Sequence, residues 1–261
     1  MGIINTRLGP IGADIAGSGG TPLLFLHGVG SDRSAWAPQL AAFKGERLVI
    51  AIDLPGYGDS VLIPGATRET FAQAALAVLD ALGAETAHVC GLSLGGVVAL
   101  ALHALAPERC ASLVLADSFA RHPEGHAILD RSLAGVATLG MAGLAEARVD
   151  ALLASPADPA IRREVIATMA RIDPAAYALA AEAVWLADQR RIAAAVTCPA
   201  LVVYGSHDRI TPPSLSEELK SLIVRAGLIE IAGAGHLSNL EQPAIFNRVL
   251  TAFLLEAEYK D

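Results

Sequence analysis

Residues 90–96 read Cys-Gly-Leu-Ser-Leu-Gly-Gly. A serine flanked by glycines at this spacing suits nucleophilic catalysis when a strand leads in and a helix leads out. An apolar run at 87–90 precedes it and a helix-like run at 94–106 follows. Such a sharp turn strains the backbone at Ser93 and lifts its hydroxyl above a sheet. Gly91 and Gly95 carry no Cβ, so neighbouring backbone can pass close to the turn. The helix that begins there aims free N–H groups at a developing anion.

A serine nucleophile needs a base within reach and a third group that orients the base. In this architecture the chain order is Ser, then Asp or Glu, then His. Of the seven histidines, His236 alone lies beyond every strand-like run, in Ala-Gly-Ala-Gly-His-Leu-Ser-Asn. It can fold back over a sheet's carboxyl edge and is the expected base. His88, in the strand entering the turn, reads as a core histidine, and His103, inside a helix, as structural. His122 and His126 read as solvated surface, and His207 as an exposed turn residue. Asp208 follows the apolar run 201–204 in Gly-Ser-His-Asp-Arg-Ile-Thr-Pro-Pro and is the favoured acid. Asp117, ending the run 113–116, is its rival. Two amides must hold the oxyanion. Leu94, after the nucleophile, supplies one, and Val29, in His27-Gly28-Val29-Gly30, supplies the other. Losing such a donor costs about 3–4 kcal/mol of transition-state stabilisation.

These residues need elements to position them. Short apolar runs at 23–26, 48–52, 87–90, 113–116, 201–204 and 228–231 suit strands buried on both faces. Helical patterns separate several of them: 70–82, stopped by Gly83; 94–106, stopped before Pro107; and 243–255, opened by a proline suited to a first turn. The alternation predicts an α/β fold with a doubly wound, mostly parallel sheet. Residues 3–15, broken by Gly9-Pro10, add an antiparallel hairpin at one edge and bring the sheet to eight strands. The interval 117–200 is far longer than the dozen or so residues a crossover needs. Its excess is helical in pattern at 125–139, 144–153, 159–169 and 174–186. Residues 121–190 are therefore expected to form a helical cap over the ligand-binding side of the sheet. Residues 1–120 and 191–261 would form the core.

Composition narrows the function classes. A net charge of −8 argues against nucleic acid or an anionic membrane as partner. Mean hydropathy is +0.48, yet the apolar stretch 94–106 contains His103 and falls short of the roughly 18 residues a spanning helix needs. No charged-then-apolar leader opens the chain, so secretion is not expected. Met-Gly-Ile-Ile-Asn-Thr formally matches a myristoylation signal, but residues 3–6 read better as a first strand. The three cysteines, Cys90, Cys110 and Cys198, are odd in number and scattered without metal spacing. The expectation is a cytoplasmic protein, monomer or homodimer, acting on a small molecule without cofactor or metal. Asp53, in Asp-Leu-Pro-Gly-Tyr-Gly-Asp-Ser, reads as fixing a turn; no P-loop lysine and no dinucleotide glycine motif after the first strand accompanies it.

With these residues in hand, the chain resembles the α/β-hydrolase superfamily over nearly its full length and, within it, the 3-oxoadipate enol-lactonases. The likeness rests on residues 87–96, on Gly205-Ser206-His207-Asp208 with Thr211-Pro212-Pro213, on Gly235-His236-Leu237-Ser238-Asn239, and on Ala120-Arg121. The family often has Arg-Gly-His-Gly where this chain has Pro55-Gly56-Tyr57-Gly58. The resemblance implies hydrolysis of a small ester or lactone through an acyl-enzyme on Ser93. An enol-lactone with a carboxylate would need a cation, for which Arg121, Arg131, Arg190 and Arg191 are candidates; Arg121 and Trp185 are the expected substrate-binding residues. Carboxylesterase or C–C bond hydrolase chemistry on ring-fission products keeps the same triad. A ligand-binding receptor of the same fold is the reading outside enzymes. Haloalkane dehalogenase chemistry would need an aspartate where Ser93 stands.

Overall fold

In a computed structural model, residues 2–259 are described. Eight strands form one sheet: β1 (Gly2–Thr6), β2 (Gly9–Ala16), β3 (Leu23–Leu26), β4 (Val49–Ile52), β5 (Ala87–Leu92), β6 (Cys110–Ala116), β7 (Ala200–Gly205) and β8 (Ala226–Ile231). Their spatial order is β1-β2-β4-β3-β5-β6-β7-β8. β2 pairs antiparallel with β1 and with β4, and the rest of the sheet is parallel. Every residue of β3, β4 and β5 is buried, which is why β3 and β4 read as unbroken apolar runs and β5 as one interrupted only by His88. β8 was expected to be buried on both faces and is not. It is the sheet's last strand, mostly uncovered, with Ile229 39% exposed.

The helices are α1 (Ala37–Phe43), α2 (Arg68–Ala81), α3 (Leu94–Leu105), α4 (Gly125–Leu152), α5 (Pro159–Ala170), α6 (Pro174–Trp185), α7 (Arg190–Ala194), α8 (Pro213–Leu222), α9 (Ser238–Glu241) and α10 (Pro243–Glu258). Local chemistry sets several starts. Thr67 and Thr70 close a reciprocal capping box at α2. Asp158 and Asp173 cap α5 and α6, each with a proline in the first helical position.

The chain runs from β3 out to β4, then returns to β5 on the other side of β3. Strand order therefore reverses between β3 and β5, and the crevice beyond their carboxyl ends is where such sheets bind ligands. Leu26 and Gly91 are register partners there, so the loops after β3 and β5 are neighbours.

Helices α4–α6 occupy the long interval between β6 and β7. α4 packs against both α5 and α6, and α6 reaches back to α2 and α3. The chain enters and leaves this segment at one place: Gln189 N donates to the Ala120 carbonyl at 2.8 Å, beside a bridge between Arg121 and Asp188. The expected helices 125–139 and 144–153 are both present, as two helical segments of α4 that meet at Gly140, whose φ of 65° and ψ of 177° are not helical. Without a Cβ, glycine adopts that conformation at little cost. As a whole α4 is long and apolar enough to cross a membrane, but neither half reaches the roughly 17–20 residues a span requires.

Candidate active site

Ser93 is the N-cap of α3 and holds φ 56°, ψ −113°. A non-glycine residue there is strained by on the order of 1–3 kcal/mol and stays only where its surroundings impose it. Its backbone N donates to the Ala116 carbonyl at 2.8 Å, and its carbonyl accepts from Ser118 Oγ at 2.8 Å and Gly96 N at 2.9 Å. The flanking glycines are sterically required. A Cβ on Gly95 would stand 2.0 Å from the Leu26 carbonyl oxygen, and one on Gly91 2.1 Å from that of Gly95. Ser93 is buried, yet its Oγ has no hydrogen-bond partner.

His236 comes from the loop after β8. Its Nδ1 lies 2.8 Å from Asp208 Oδ2. Asp208 follows β7 and is itself fully engaged. Oδ1 accepts from Ile210 N at 2.7 Å and Thr211 N at 2.9 Å, and Oδ2 from Thr211 Oγ1 at 2.6 Å. Burial opposes charge on both partners. The pairing outweighs it, holding the Asp208 carboxyl below its ordinary range and raising the His236 imidazole above its own. The contact also leaves Nε2 as the ring nitrogen free to face a substrate.

The histidine loop is pinned on several sides. His236 N donates to the Leu152 carbonyl at the end of α4 at 2.8 Å. Glu241 accepts from Gly235 N at 2.8 Å and Ala154 N at 2.7 Å, joining the loop to the same helix end. Asp117, the rival acid, accepts from Gly205 N at 2.8 Å and Ser238 Oγ at 2.5 Å, clipping the loop to β7. No bond joins it to His236; Asp208 occupies that place.

Burial, and then the nearby Asp208 charge, push the Asp117 carboxyl up to about 8. A carboxyl raised on folding favours the native state below its unfolded pKa, near 4. That contribution is lost as pH rises through the folded value. Asp117→Asn removes the titration. The melting-temperature difference, variant minus wild type, should therefore become more positive between about pH 5 and about pH 8. A difference that stays flat across that range would contradict the buried, raised carboxyl.

The loop after β3 faces Ser93. His27 fixes it from below: Nδ1 lies 2.8 Å from the Gly28 carbonyl, and Nε2 accepts from Leu54 N at 3.0 Å. The Tyr57 hydroxyl donates to the Val29 carbonyl at 2.9 Å, fixing the neighbouring peptide. A Cβ on Gly28 would stand 3.4 Å from Ser93 Cβ, so the loop closely overlies the serine. Leu94 opens α3, where first-turn N–H groups have no intrahelical acceptor. Gly28, Val29, Gly30, Ser93, Leu152 and His236 all line one cavity of about 30 Å³.

A second cleft of about 470 Å³ is walled by His122, Ile128, Leu144, Trp185 and Ile210 with Arg148 among its polar groups, and it reaches Ala151, the chain neighbour of Leu152 in the first cavity. Trp185 thus sits in the cleft rather than against Ser93. Arg121 lines neither cavity and faces Asp188 at 4.0 Å. Arg190 also binds Asp188, Arg131 sits on the cleft near Glu124, and Arg191 lines a separate pocket with His103. His122, expected at the surface, is buried: it packs edge-on against Phe119 and Trp185 and meets the Ile210 carbonyl at 3.2 Å. The two aromatic rings that cover it are remote in sequence or outside any periodic pattern, so no local signal marked it. Asp53 anchors its turn as expected, accepting from Arg33 N, the Arg33 guanidinium and Asp59 N, and His88 is satisfied by Ser112 and Glu258. Among the described residues, no cluster of three or more His, Cys, Asp or Glu side chains is placed to hold a metal ion.

Comparison with known proteins identifies the family and the fold. A model of the α/β hydrolase family matches residues 23–249. A 3-oxoadipate enol-lactonase of Acinetobacter baylyi is 31% identical over 89% of this chain and 88% of its own. A thermophilic esterase from Thermogutta terrifontis superposes with a TM-score of 0.90 at 30% identity, covering 98% of both chains. The enol-lactonase of Burkholderia xenovorans superposes with a TM-score of 0.90 at 28% identity, covering 97% of this chain and all of the other.

Proposed function

Because the chain belongs to the α/β-hydrolase family, we propose that it is a serine hydrolase of small esters or lactones, with an enol-lactone such as 3-oxoadipate enol-lactone as its substrate. One observation carries the reading. The unbonded Ser93 Oγ shares a small cavity with His236, whose other ring nitrogen is held by Asp208 at 2.8 Å.

Ser93 Oγ attacks the carbonyl carbon while His236 Nε2 takes its proton. Asp208 orients the ring and stabilises the imidazolium. The Val29 and Leu94 amides receive the oxyanion, where fixed donors act strongly because they need no reorganisation. Collapse of the tetrahedral intermediate breaks the acyl C–O bond, and the imidazolium protonates the departing oxygen. His236 then deprotonates a water that attacks the acyl-enzyme, and Ser93 regains its proton as it leaves. In an enol-lactone the leaving enol stays tethered through the carbon chain. Lactone and water then give one ring-opened keto acid. The enol-lactonase relatives favour that substrate, and the esterase from Thermogutta favours an acyclic ester as the second reading.

A fluorophosphonate probe should label Ser93 and no other residue. A panel of p-nitrophenyl esters, enol-lactones and vinylogous keto acids should then show highest kcat/KM on an enol-lactone. An unlabelled serine would overturn the hydrolase reading in favour of a binding protein. Faster turnover of the keto acids would assign C–C bond hydrolysis instead.

A further inference from the structure

The cavity at Ser93 has room for roughly one water, and its one carboxylate is Glu164 on the rim. Most of a substrate must lie elsewhere. The second cleft, about 470 Å³ and joined to the first through Ala151 and Leu152, is of ordinary ligand size, and its charge is of the opposite sign. Three arginines line it, Arg131, Arg148 and Arg209, against one carboxylate, Glu124. Arg131 lies 3.9 Å from Glu124. Arg209 is committed to the Asp150 and Leu153 carbonyls at the end of α4.

Arg148 is different. Its Nη1 donates to Ser132 Oγ at 3.0 Å and Tyr177 Oη at 3.1 Å, both residues buried. Its Nε is buried with no acceptor, and among the described residues no carboxylate pairs with it. A second donor without an acceptor, Trp185 Nε1, belongs to the same wall. Buried donors left open in this way call for an acceptor. Arg148 is also close to the chemistry. It precedes Leu152 by one turn of α4, about 6 Å along the axis, and Leu152 both lines the Ser93 cavity and binds His236 N.

We propose that this cleft is the subsite for an anionic arm of the substrate and that Arg148 is its specificity-determining residue, selecting carboxylate-bearing esters or lactones over neutral ones. The inference rests on the Ser93 hydrolase reading and narrows its substrate class. Two buried hydroxyls hold the guanidinium in place before any ligand arrives, so little rotamer entropy remains to be lost on binding. A carboxylate there also has an electrostatic consequence. The Arg148 charge opposes protonation of His236, which works against the imidazolium formed during attack. A bound anion would offset that opposition, the smallest of the influences on His236.

The test separates binding from chemistry. Ser93→Ala protein is titrated calorimetrically with monomethyl adipate and, as its neutral match, dimethyl adipate. The half-ester should bind more tightly. Adding Arg148→Gln, which keeps an amide donor for Ser132 and Tyr177, should weaken the half-ester about ten- to a hundredfold, the effect of a lost charge-assisted pair, and abolish the preference. Should that variant not fold, Arg148→Lys keeps a cation but loses the planar fork. It should weaken the half-ester alone. Equal weakening of both ligands, or no preference to begin with, would overturn the subsite. Fluorophosphonate labelling of Ser93 in the wild-type protein reports on the hydrolase reading independently.

Discussion

Ser93→Ala is expected to lower kcat for any ester or lactone this protein hydrolyses by at least about 10⁴-fold, leaving only the contribution of binding and the oxyanion amides. The loss should come without a loss of stability. Ser93 Oγ is buried and unbonded, so the native protein carries a desolvated hydroxyl that makes no compensating bond, and removing it costs nothing on that account. Alanine keeps a Cβ, so the strained conformation at φ 56° is no easier, and the surroundings that impose it remain. The expected signature is therefore a melting temperature at or above that of wild type with hydrolysis nearly abolished. A variant that stays within tenfold of wild-type kcat would remove Ser93 from the reaction. A variant that unfolds would mean that the hydroxyl supports the turn in some way the hydrogen bonds do not reveal.

Asp208→Asn is expected to lower kcat by about 10⁴-fold as well, with a change in pH dependence that no merely structural role would produce. In the wild type the Asp208 charge raises the His236 imidazole despite its burial. The base must be neutral to accept a proton. Activity should therefore rise with pH along a limb whose midpoint lies above the ordinary imidazole value of about 6.5. Without the carboxylate, burial and the Arg148 charge, which disfavour the imidazolium, are opposed only by the more distant Asp117 carboxyl. The limb should then shift to lower pH. An asparagine also offers Nδ1 an ambiguous partner, so the tautomer is no longer enforced. The same variant decides between the two carboxylates. Asp117 lies close enough to act on His236 electrostatically, and if it served as the acid, Asp208→Asn would retain activity within about tenfold and keep its limb in place.

Much of this site was legible in the chain, and the reasons are local. Ser93 stood out because a strand-to-helix turn this tight excludes any Cβ at Gly91 and Gly95, and that exclusion appears in sequence as glycines at fixed spacing. Asp208 and His236 were found from their places after β7 and β8, since a parallel sheet delivers the carboxyl ends of its strands to one edge. The helices 70–82, 159–169 and 174–186 emerge as α2, α5 and α6 within a residue or two, because their caps and apolar spacing are short-range. The break between helices 125–139 and 144–153 was legible too, falling at Gly140, but the angle at which the two segments meet there was not.

Which residues would touch a substrate was another matter. The expected cation Arg121 turns to Asp188, while Arg148, which nothing in its neighbourhood marked, lies one helical turn from the contact with His236. His122 read as surface and is buried beneath Trp185. Spacing along the chain determined where Ser93, Asp208 and His236 stand and the sheet that aligns them, because backbone sterics and strand order act over a few residues at a time. The identity of the cleft was decided only when α4 and α6 packed together over the sheet. A contact between residues such as Arg148 and Tyr177 depends on the rotation and bend of two helices, and those are set by the whole core rather than by either helix's sequence.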